Sequence, residues 1–292
     1  MIGLELLDSR ALAVLLDDGG RVVRQTSVAV TSDLGAAAIA ALDEVRQGTT
    51  RDSIGVTAAT PEIPAVSSAL VAVGRRFPGV APASASGVAA AVAESWLGVG
   101  RGFKDVVFFG VADHAIGGIV RDGRPIDGGH RRAASVAWLA LNPVEREDYR
   151  RMGCVESEVA AAGTVRRLIW RIKAGDRSRV QDLVGSDLSA ITLDHVLDGA
   201  RQGDGVCISV VRDTAKYLGM AAANLVAIAD PEMLVLGGIM ASAPDLLMEQ
   251  VRSEVARRLP RGLMDGLAIA PAALGDDAAA IGAARLAATA AP

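Results

Sequence analysis

The chain has 292 residues, of which 51% are hydrophobic and 22% charged, a profile typical of a folded globular protein that excludes an intrinsically disordered one. Its net charge of −4 provides no general attraction for nucleic-acid phosphates. The chain has no uncharged apolar run of the roughly 18 residues that a membrane span needs, and its first residues lack the basic start and cleavage site of a signal peptide, so we expect a cytoplasmic protein without membrane contact.

The first third of the chain alternates strand patterns with helical patterns. Asp17, Asp18, Gly19 and Gly20 supply the turn residues of a hairpin between the second and third strands. The predicted elements are strands at Ile2–Leu7, Ala11–Leu16 and Arg21–Val28, a helix at Leu34–Gln47, a strand at Ser53–Thr57, a helix at Ala65–Arg76, a strand at Gly79–Ala83 and a helix at Ser86–Leu97.

A second block repeats this order with longer helices. Its predicted elements are strands at Asp105–Val111 and Ile116–Arg121, a mostly helical region at Val155–Leu259, a strand at Glu232–Leu236 that ends on Gly237 and Gly238, a segment at Leu267–Ala270, and a final helix at Asp276–Ala288. Two sheets that each begin with a hairpin and continue through crossover helices indicate two related α/β lobes. The cleft between such lobes is where we expect a small ligand.

Four segments resemble the ROK family, which comprises repressors, open reading frames and kinases. They are IADPEMLVLGG at 228–238, APAALGDDA at 270–278 followed by IGAA at 281–284, LDGARQGD at 197–204, and GGIVRDGR at 117–124. The resemblance implies a duplicated, ribonuclease-H-like α/β fold with two lobes, as in actin and hexokinase. It places a small lobe at 1–97 plus 276–292 and a large lobe at 98–275, and it implies a homodimer.

The residues that carry chemistry in such kinases differ here. The family's first phosphate loop has an Asp followed by two glycines and a Thr, and this place is taken by ELLDS at 5–9, which puts Leu7 and Asp8 at the glycines. The second phosphate loop falls on ADHAIGG at 112–118, with Asp113 and His114 in place of small residues. The position of the catalytic Asp falls on Ser86, whose neutral hydroxyl cannot act as a general base at pH 7.

The sugar and zinc positions of the family are also changed. Its Glu-x-Gly-His motif falls on SVAW at 135–138, and its cysteine-rich zinc stretch falls on 147–156, where only Gly153, Cys154 and Glu156 match. A single Cys without partner ligands cannot form a tetrahedral zinc site. We therefore predict no catalytic residue and no metal site, with ATP and Mg²⁺ as cofactors only if the chain is a kinase after all.

The remaining candidate ligand contacts each have a structural explanation. Glu156 could accept hydrogen bonds from a polyol, or it could be a solvated carboxylate in the first turn of a helix. Asp113 and His114 could act as acid, base or metal ligand, or simply form a turn. Gly237 and Gly238 could admit an adenine-bearing ligand, or form the tight turn that the fold requires.

Our leading hypothesis is a ROK-like pseudokinase that acts as a ligand sensor or as a regulatory or assembly protein, with a small polyol or a partner protein as its ligand. One alternative is a diverged ATP-dependent sugar kinase that uses Asp8 or Asp113 as its base. Another is a transcriptional regulator that acts through a partner protein. Because we recognise neither a basic face nor a DNA-binding segment ahead of the first strand, no direct contact with nucleic acid is expected.

Overall fold

The computed structural model describes residues 1–48 and 53–290, so positions 49–52 and 291–292 of the predicted small lobe lie outside the described residues. The described strands are β1 (Ile2–Leu6), β2 (Arg10–Leu16), β3 (Val22–Ala29), β4 (Ile54–Ala58), β5 (Ser84–Ala85), β6 (Val106–Val111), β7 (Ala115–Arg121), β8 (Arg124–Pro125), β9 (Met233–Gly238) and β10 (Ala268–Pro271). Short 3-10 turns lie at Val136–Trp138, Leu188–Ala190 and Gly275–Asp277.

The helices carry most of the remaining chain. They are α1 (Leu34–Val45), α2 (Pro64–Arg76), α3 (Ser86–Trp96), α4 (Glu147–Met152), α5 (Cys154–Val159), α6 (Ala161–Lys173), α7 (Arg179–Leu183), α8 (Leu193–Arg201), α9 (Gly205–Ala229), α10 (Ile239–Ser242), α11 (Pro244–Arg258), α12 (Arg261–Met264) and α13 (Ala278–Ala290). None of the helices in the described part of the chain combines the length and the apolar character needed to span a bilayer.

The first sheet has the strand order β3-β2-β1-β4-β5, in which β1 is antiparallel to β2 and parallel to β4. Side chains alternate across it. Ile2, Leu4 and Leu6 join the core formed with α1 and α2. Residues on the opposite face, such as Leu12, pack with α3 and α13. Because Glu5 alternates with Leu4 and Leu6, it lies on the α3 side of the sheet.

Two glycines allow α13 to lie directly on this sheet. A Cβ atom at Gly3 would lie 1.8 Å from the carbonyl oxygen of Ala280, and one at Gly55 would lie 1.8 Å from that of Ala283. Neither distance is possible for a real side chain, so a residue larger than glycine would push the helix away from β1 and β4.

The second sheet has the strand order β10-β9-β6-β7-β8. β10 runs parallel to β9, and β7 runs antiparallel to β8. The fully buried side chains of Leu234 and Leu236 form part of its core. Two mixed sheets flanked by helices confirm the predicted α/β class.

The chain folds into two compact units, each assembled from separate stretches of sequence. One comprises Met1–Phe108, Gly117–Ala134 and Ala272–Pro292, and the other comprises Phe109–Ile116 and Ser135–Pro271. The lobe boundaries given in the sequence analysis remain a prediction.

One predicted strand is wrong. Gly79–Ala83 forms no strand, and only an isolated bridge joins Val80 to Ile54. Pro78 and Pro82 flank this bridge, and proline has no N–H to donate to a β-ladder. Pairing with β4 resumes at β5, immediately before α3.

Candidate functional site

The position at which the resemblance places a catalytic Asp is occupied by a closed contact between two side chains. Ser86, the first residue of α3, donates its hydroxyl to Oε1 of Glu5 over 2.7 Å. Ser86 is 1% exposed and Glu5 is 5% exposed, so solvent hardly reaches either side chain. The carboxylate lies at the N-terminus of an 11-residue helix, where the helix dipole favours negative charge.

Burial nevertheless dominates the ionisation of Glu5. Removal from water raises the pKa of the Glu5 carboxyl from 4.5 to about 7, although the hydrogen bond from Ser86 and the charge of Arg10 act in the opposite direction. Asp276 and Asp277, at the entry to α13, repel the carboxylate and raise its pKa further. Glu5 is therefore a carboxyl that changes protonation state near neutral pH.

The backbone before α3 is held by hydrogen bonds from the adjacent strand. The buried Thr57 hydroxyl donates to the carbonyl oxygen of Ser84 over 2.9 Å, and β4 pairs with β5 through Thr57–Ser84 and Ala58–Ala85. These contacts set the direction in which the chain enters α3. They also determine that residue 86 faces β1.

The first phosphate loop of the resemblance is here a tight connection between β1 and β2. The amide of Leu7 donates to the carbonyl oxygen of Arg10 over 2.9 Å and closes the turn. Leu7 is half-buried, and the Asp8 side chain is exposed at the tip. Arg10 forms an ion pair with Asp276 at 3.3 Å. The structure thus separates Asp8, on the surface of the turn, from the buried Glu5.

The connection between β6 and β7 brings two of the candidate residues together. One oxygen of Glu156 lies 3.3 Å from Nδ1 of His114, and the other accepts from the amide of Ala115 over 2.9 Å. Glu156 lies in α5, so its carboxylate fastens this connection to that helix. Asp113 is exposed at the tip of the connection and is not part of this contact. The ligand-binding role of Glu156, Asp113 and His114 stays a prediction.

Close packing requires glycine at two positions of the candidate nucleotide turns, Gly238 and Gly118. At Gly238, which has φ of 60°, a Cβ atom would lie 1.9 Å from the carbonyl oxygen of Val111. At Gly118 it would lie 2.1 Å from the carbonyl oxygen of Gly87 in α3. Since the fold alone explains glycine at 238, it does not by itself indicate a ligand, and the ligand contacts of Gly237 and Gly238 stay a prediction.

A network of charges and rings occupies the region that corresponds to the zinc stretch. Arg146 bonds Asp148 at 2.6 Å and Glu158 at 3.0 Å, and its guanidinium lies 4.8 Å from the centre of the Tyr149 ring. The Tyr149 hydroxyl donates to Glu158, and burial together with this carboxylate raises the pKa of Tyr149 well above its usual range. These contacts hold α4 against α5.

Neither thiol has the surroundings of a reactive cysteine. Cys154 and Cys207 are both free and buried, and burial raises the pKa of the Cys207 thiol to about 11. Across residues 1–48 and 53–290, no group of three or more His, Cys, Asp or Glu side chains has an arrangement that could hold a metal ion.

The motifs of the sequence do not identify Glu5 as a site residue, although its own strand carries one signal. IGLEL at 2–6 is apolar apart from this single acid, and all five residues are buried. An ionisable residue inside a fully buried strand needs a partner, which here lies 81 positions along the chain.

Most of the chain is similar to known proteins of one family. The model of the ROK family matches residues 84–290. A glucokinase of Halalkalibacterium halodurans is 31% identical over 196 residues, which span 66% of this chain and 59% of that protein. The DNA-binding transcriptional dual regulator NagC of Escherichia coli is 24% identical over 194 residues, which span 66% of this chain and 46% of NagC.

A solved structure resembles nearly the entire chain. The ROK family glucokinase of Streptomyces griseus, determined in complex with glucose and AMPPNP, superposes with a TM-score of 0.82, covers 99% of both chains and is 23% identical. This likeness confirms the predicted actin-like, hexokinase-like fold.

Proposed function

The chain belongs to the ROK family, and we propose that within it the protein is a non-catalytic member, a pseudokinase that acts as a ligand sensor or as a regulatory or assembly protein. As expected from the sequence, we place it in the cytoplasm as a homodimer. Its ligand is a small polyol or a partner protein.

The contact between Glu5 and Ser86 carries this proposal. The resemblance places the phosphate-loop Asp at residue 5 and the catalytic Asp at residue 86. Here residue 5 is Glu, which is longer than Asp, and residue 86 is the neutral Ser. The Glu5 carboxylate accepts a hydrogen bond from the Ser86 hydroxyl over 2.7 Å. With Glu5 5% exposed and Ser86 1% exposed, a sugar hydroxyl has no access to a base at this point. The catalytic base is absent, and the position that it would occupy is buried. Both observations favour a protein that binds its ligand without transferring phosphate to it.

The β1–β2 turn supports the same conclusion. Leu7 stands where a glycine would let backbone N–H groups approach a phosphate, and Asp8 adds a negative charge beside it. Both substitutions oppose binding of a triphosphate, one by its bulk and the other by repulsion.

A sugar kinase with a remodelled site is the second candidate, because the glucokinase of Halalkalibacterium halodurans is 31% identical over 196 residues. This candidate needs a new base, and the exposed Asp8 and Asp113 are the carboxylates that we expect to serve. The matched stretch spans 59% of that glucokinase.

A regulatory role is the third candidate, because NagC, a DNA-binding regulator, is 24% identical over 194 residues. We retain a partner protein as the predicted target. A gel-shift titration with duplex DNA checks the expectation that this chain does not contact nucleic acid directly, and saturable binding at physiological salt would contradict it.

An assay of ADP release distinguishes a ligand sensor from an active sugar kinase. The purified chain is incubated with Mg-ATP and glucose, mannose or N-acetylglucosamine, with an active glucokinase as the positive control. For a sensor we expect no hexose-dependent ADP release under conditions in which the positive control releases ADP. Hexose-dependent ADP release that Asp8→Asn or Asp113→Asn abolishes would establish the kinase instead.

A further inference from the structure

One cavity is lined by none of Glu5, Ser86, His114 and Glu156, although its residues include Trp138 and Cys154 from the segments aligned with the family's sugar and zinc motifs. It has a volume of about 420 Å³ and lies beside the segment that joins the 3-10 turn at Val136–Trp138 to α5. We call it the Trp138 cavity and define it by Trp138, Pro143, Val144, Tyr149 and Cys154. Its volume falls within the roughly 300–1,000 Å³ that small-molecule sites occupy.

Most residues that line the Trp138 cavity are aromatic or apolar. Trp138 is 57% exposed, an unusual state for the side chain with the largest apolar surface, and Val144 at the rim is also exposed. Tyr149 contributes a buried ring and Cys154 a buried, polarisable sulfur. Aromatic rings and sulfur both pack favourably against the face or edge of another ring.

The polar groups of the cavity are already paired with each other or with neighbours. Glu145 and Arg150 form an ion pair at 3.0 Å, so their charges compensate. The side-chain oxygen of Asn142 accepts from the amide of Val144 over 3.0 Å, and its nitrogen lies 3.5 Å from the Tyr149 hydroxyl. The Tyr149 hydroxyl itself donates to a neighbouring carboxylate outside the cavity.

This pairing discriminates between classes of ligand. A sugar buried here would leave most of its hydroxyls without partners, at a cost of about 1–3 kcal/mol for each buried group. An ion would gain nothing from a compensated Glu–Arg pair. A flat apolar ring has no hydroxyl groups to leave unpaired and no charge that needs a partner. It would also cover the exposed indole of Trp138.

We propose that the Trp138 cavity is a binding site for a small, uncharged, planar aromatic molecule that stacks on Trp138. The site uses neither Glu5 nor Ser86 nor the His114–Glu156 contact, so it is independent of whether the protein transfers phosphate.

The test titrates the full chain with indole and with quinoline, followed by ligand-observed NMR. Trp138→Ala removes the stacking surface, and Trp170→Ala is the matched control because Trp170 is similarly exposed, at 51%, but lies outside the cavity. We expect saturable binding that Trp138→Ala weakens roughly tenfold or more, the equivalent of one lost stacking contact. Trp170→Ala should leave the affinity within about twofold.

A second pair of variants does not depend on removing a tryptophan. Val144→Lys places a charge on the apolar rim, whereas Val71→Lys changes a similarly exposed valine in α2. Only Val144→Lys should weaken binding of the probes. The proposal is overturned if neither probe binds saturably, if glucose displaces a bound probe, or if Trp138→Ala and Val144→Lys bind as the unaltered protein does.

Discussion

Replacing Glu5 with glutamine should make the folded protein more stable at alkaline pH and change little at acidic pH. Glu5 is 5% exposed, and burial raises its pKa from 4.5 to about 7. Because the folded-state pKa lies above the unfolded one, the protonated carboxyl is the form that the fold favours. The stability it contributes is present below pH 4.5 and is lost as the pH rises towards 7.

The size of this effect follows from the pKa values. A change from 4.5 to about 7 corresponds to a loss of about 3 kcal/mol in the free energy of unfolding between about pH 4 and pH 8. Glutamine has nearly the same shape as protonated glutamic acid and cannot ionise, so Glu5→Gln should escape this loss. It keeps an acceptor for the Ser86 hydroxyl.

The assay is urea unfolding of both proteins at half-unit intervals of pH. Other groups titrate in both proteins, so the informative quantity is the difference between their free energies of unfolding at each pH. We expect this difference to grow in favour of Glu5→Gln between about pH 5 and pH 7 and then to level off. A difference that is independent of pH, or that grows in the opposite direction, would refute the reasoning.

Three further substitutions test contacts elsewhere. Glu94→Gln should destabilise the fold by about 2 kcal/mol or more in urea unfolding. The buried Glu94 carboxylate accepts hydrogen bonds from the backbone amides of Val99, Ala273 and Leu274, and an amide side chain cannot accept from all three. A destabilisation near zero would contradict this prediction. Gly238→Ala should lower thermal stability far more than Gly185→Ala, since their φ angles are 60° and 58° but only the first has backbone within 4 Å of the new Cβ; equal losses would show that the backbone angle alone matters. Tyr149→Phe should lower the free energy of unfolding by about 1–3 kcal/mol in the same assay because Glu158 loses its hydroxyl donor. Unchanged stability would show that this hydrogen bond does not stabilise the fold.

Local patterns in the sequence predicted most of the strands and helices. Alternation of apolar residues identified β1, β2 and β3, and the residues Asp17–Gly20 identified the hairpin, in which Asp17 accepts from the amides of Gly19 and Arg21. The strand predicted at Gly79–Ala83 was wrong because its apolar residues satisfied the pattern while Pro78 and Pro82 limited the hydrogen bonds. A short strand is decided by its backbone partners as much as by its side chains.

The contacts of the site could not be predicted in the same way. Glu5 meets Ser86 across 81 positions, and His114 meets Glu156 across 42. Such pairs depend on strand register and on how the helices pack against the sheets, which local sequence patterns do not determine. The sequence marked Ser86, Glu156 and His114 as candidates, but only the structure shows what each side chain contacts.

Calorimetric titration of the purified chain with Mg-ATP, in the presence and absence of glucose, tests most directly whether the closed contact between Glu5 and Ser86 and the Leu7–Asp8 turn exclude a nucleotide. We predict no saturable heat of binding at nucleotide concentrations up to the millimolar range. A dissociation constant of about 1 mM corresponds to a binding free energy of about −4 kcal/mol, so any binding must be weaker than this. A saturable, stoichiometric heat of binding would contradict this exclusion, and conversion of ATP to ADP in the same sample would also contradict the assignment as a pseudokinase.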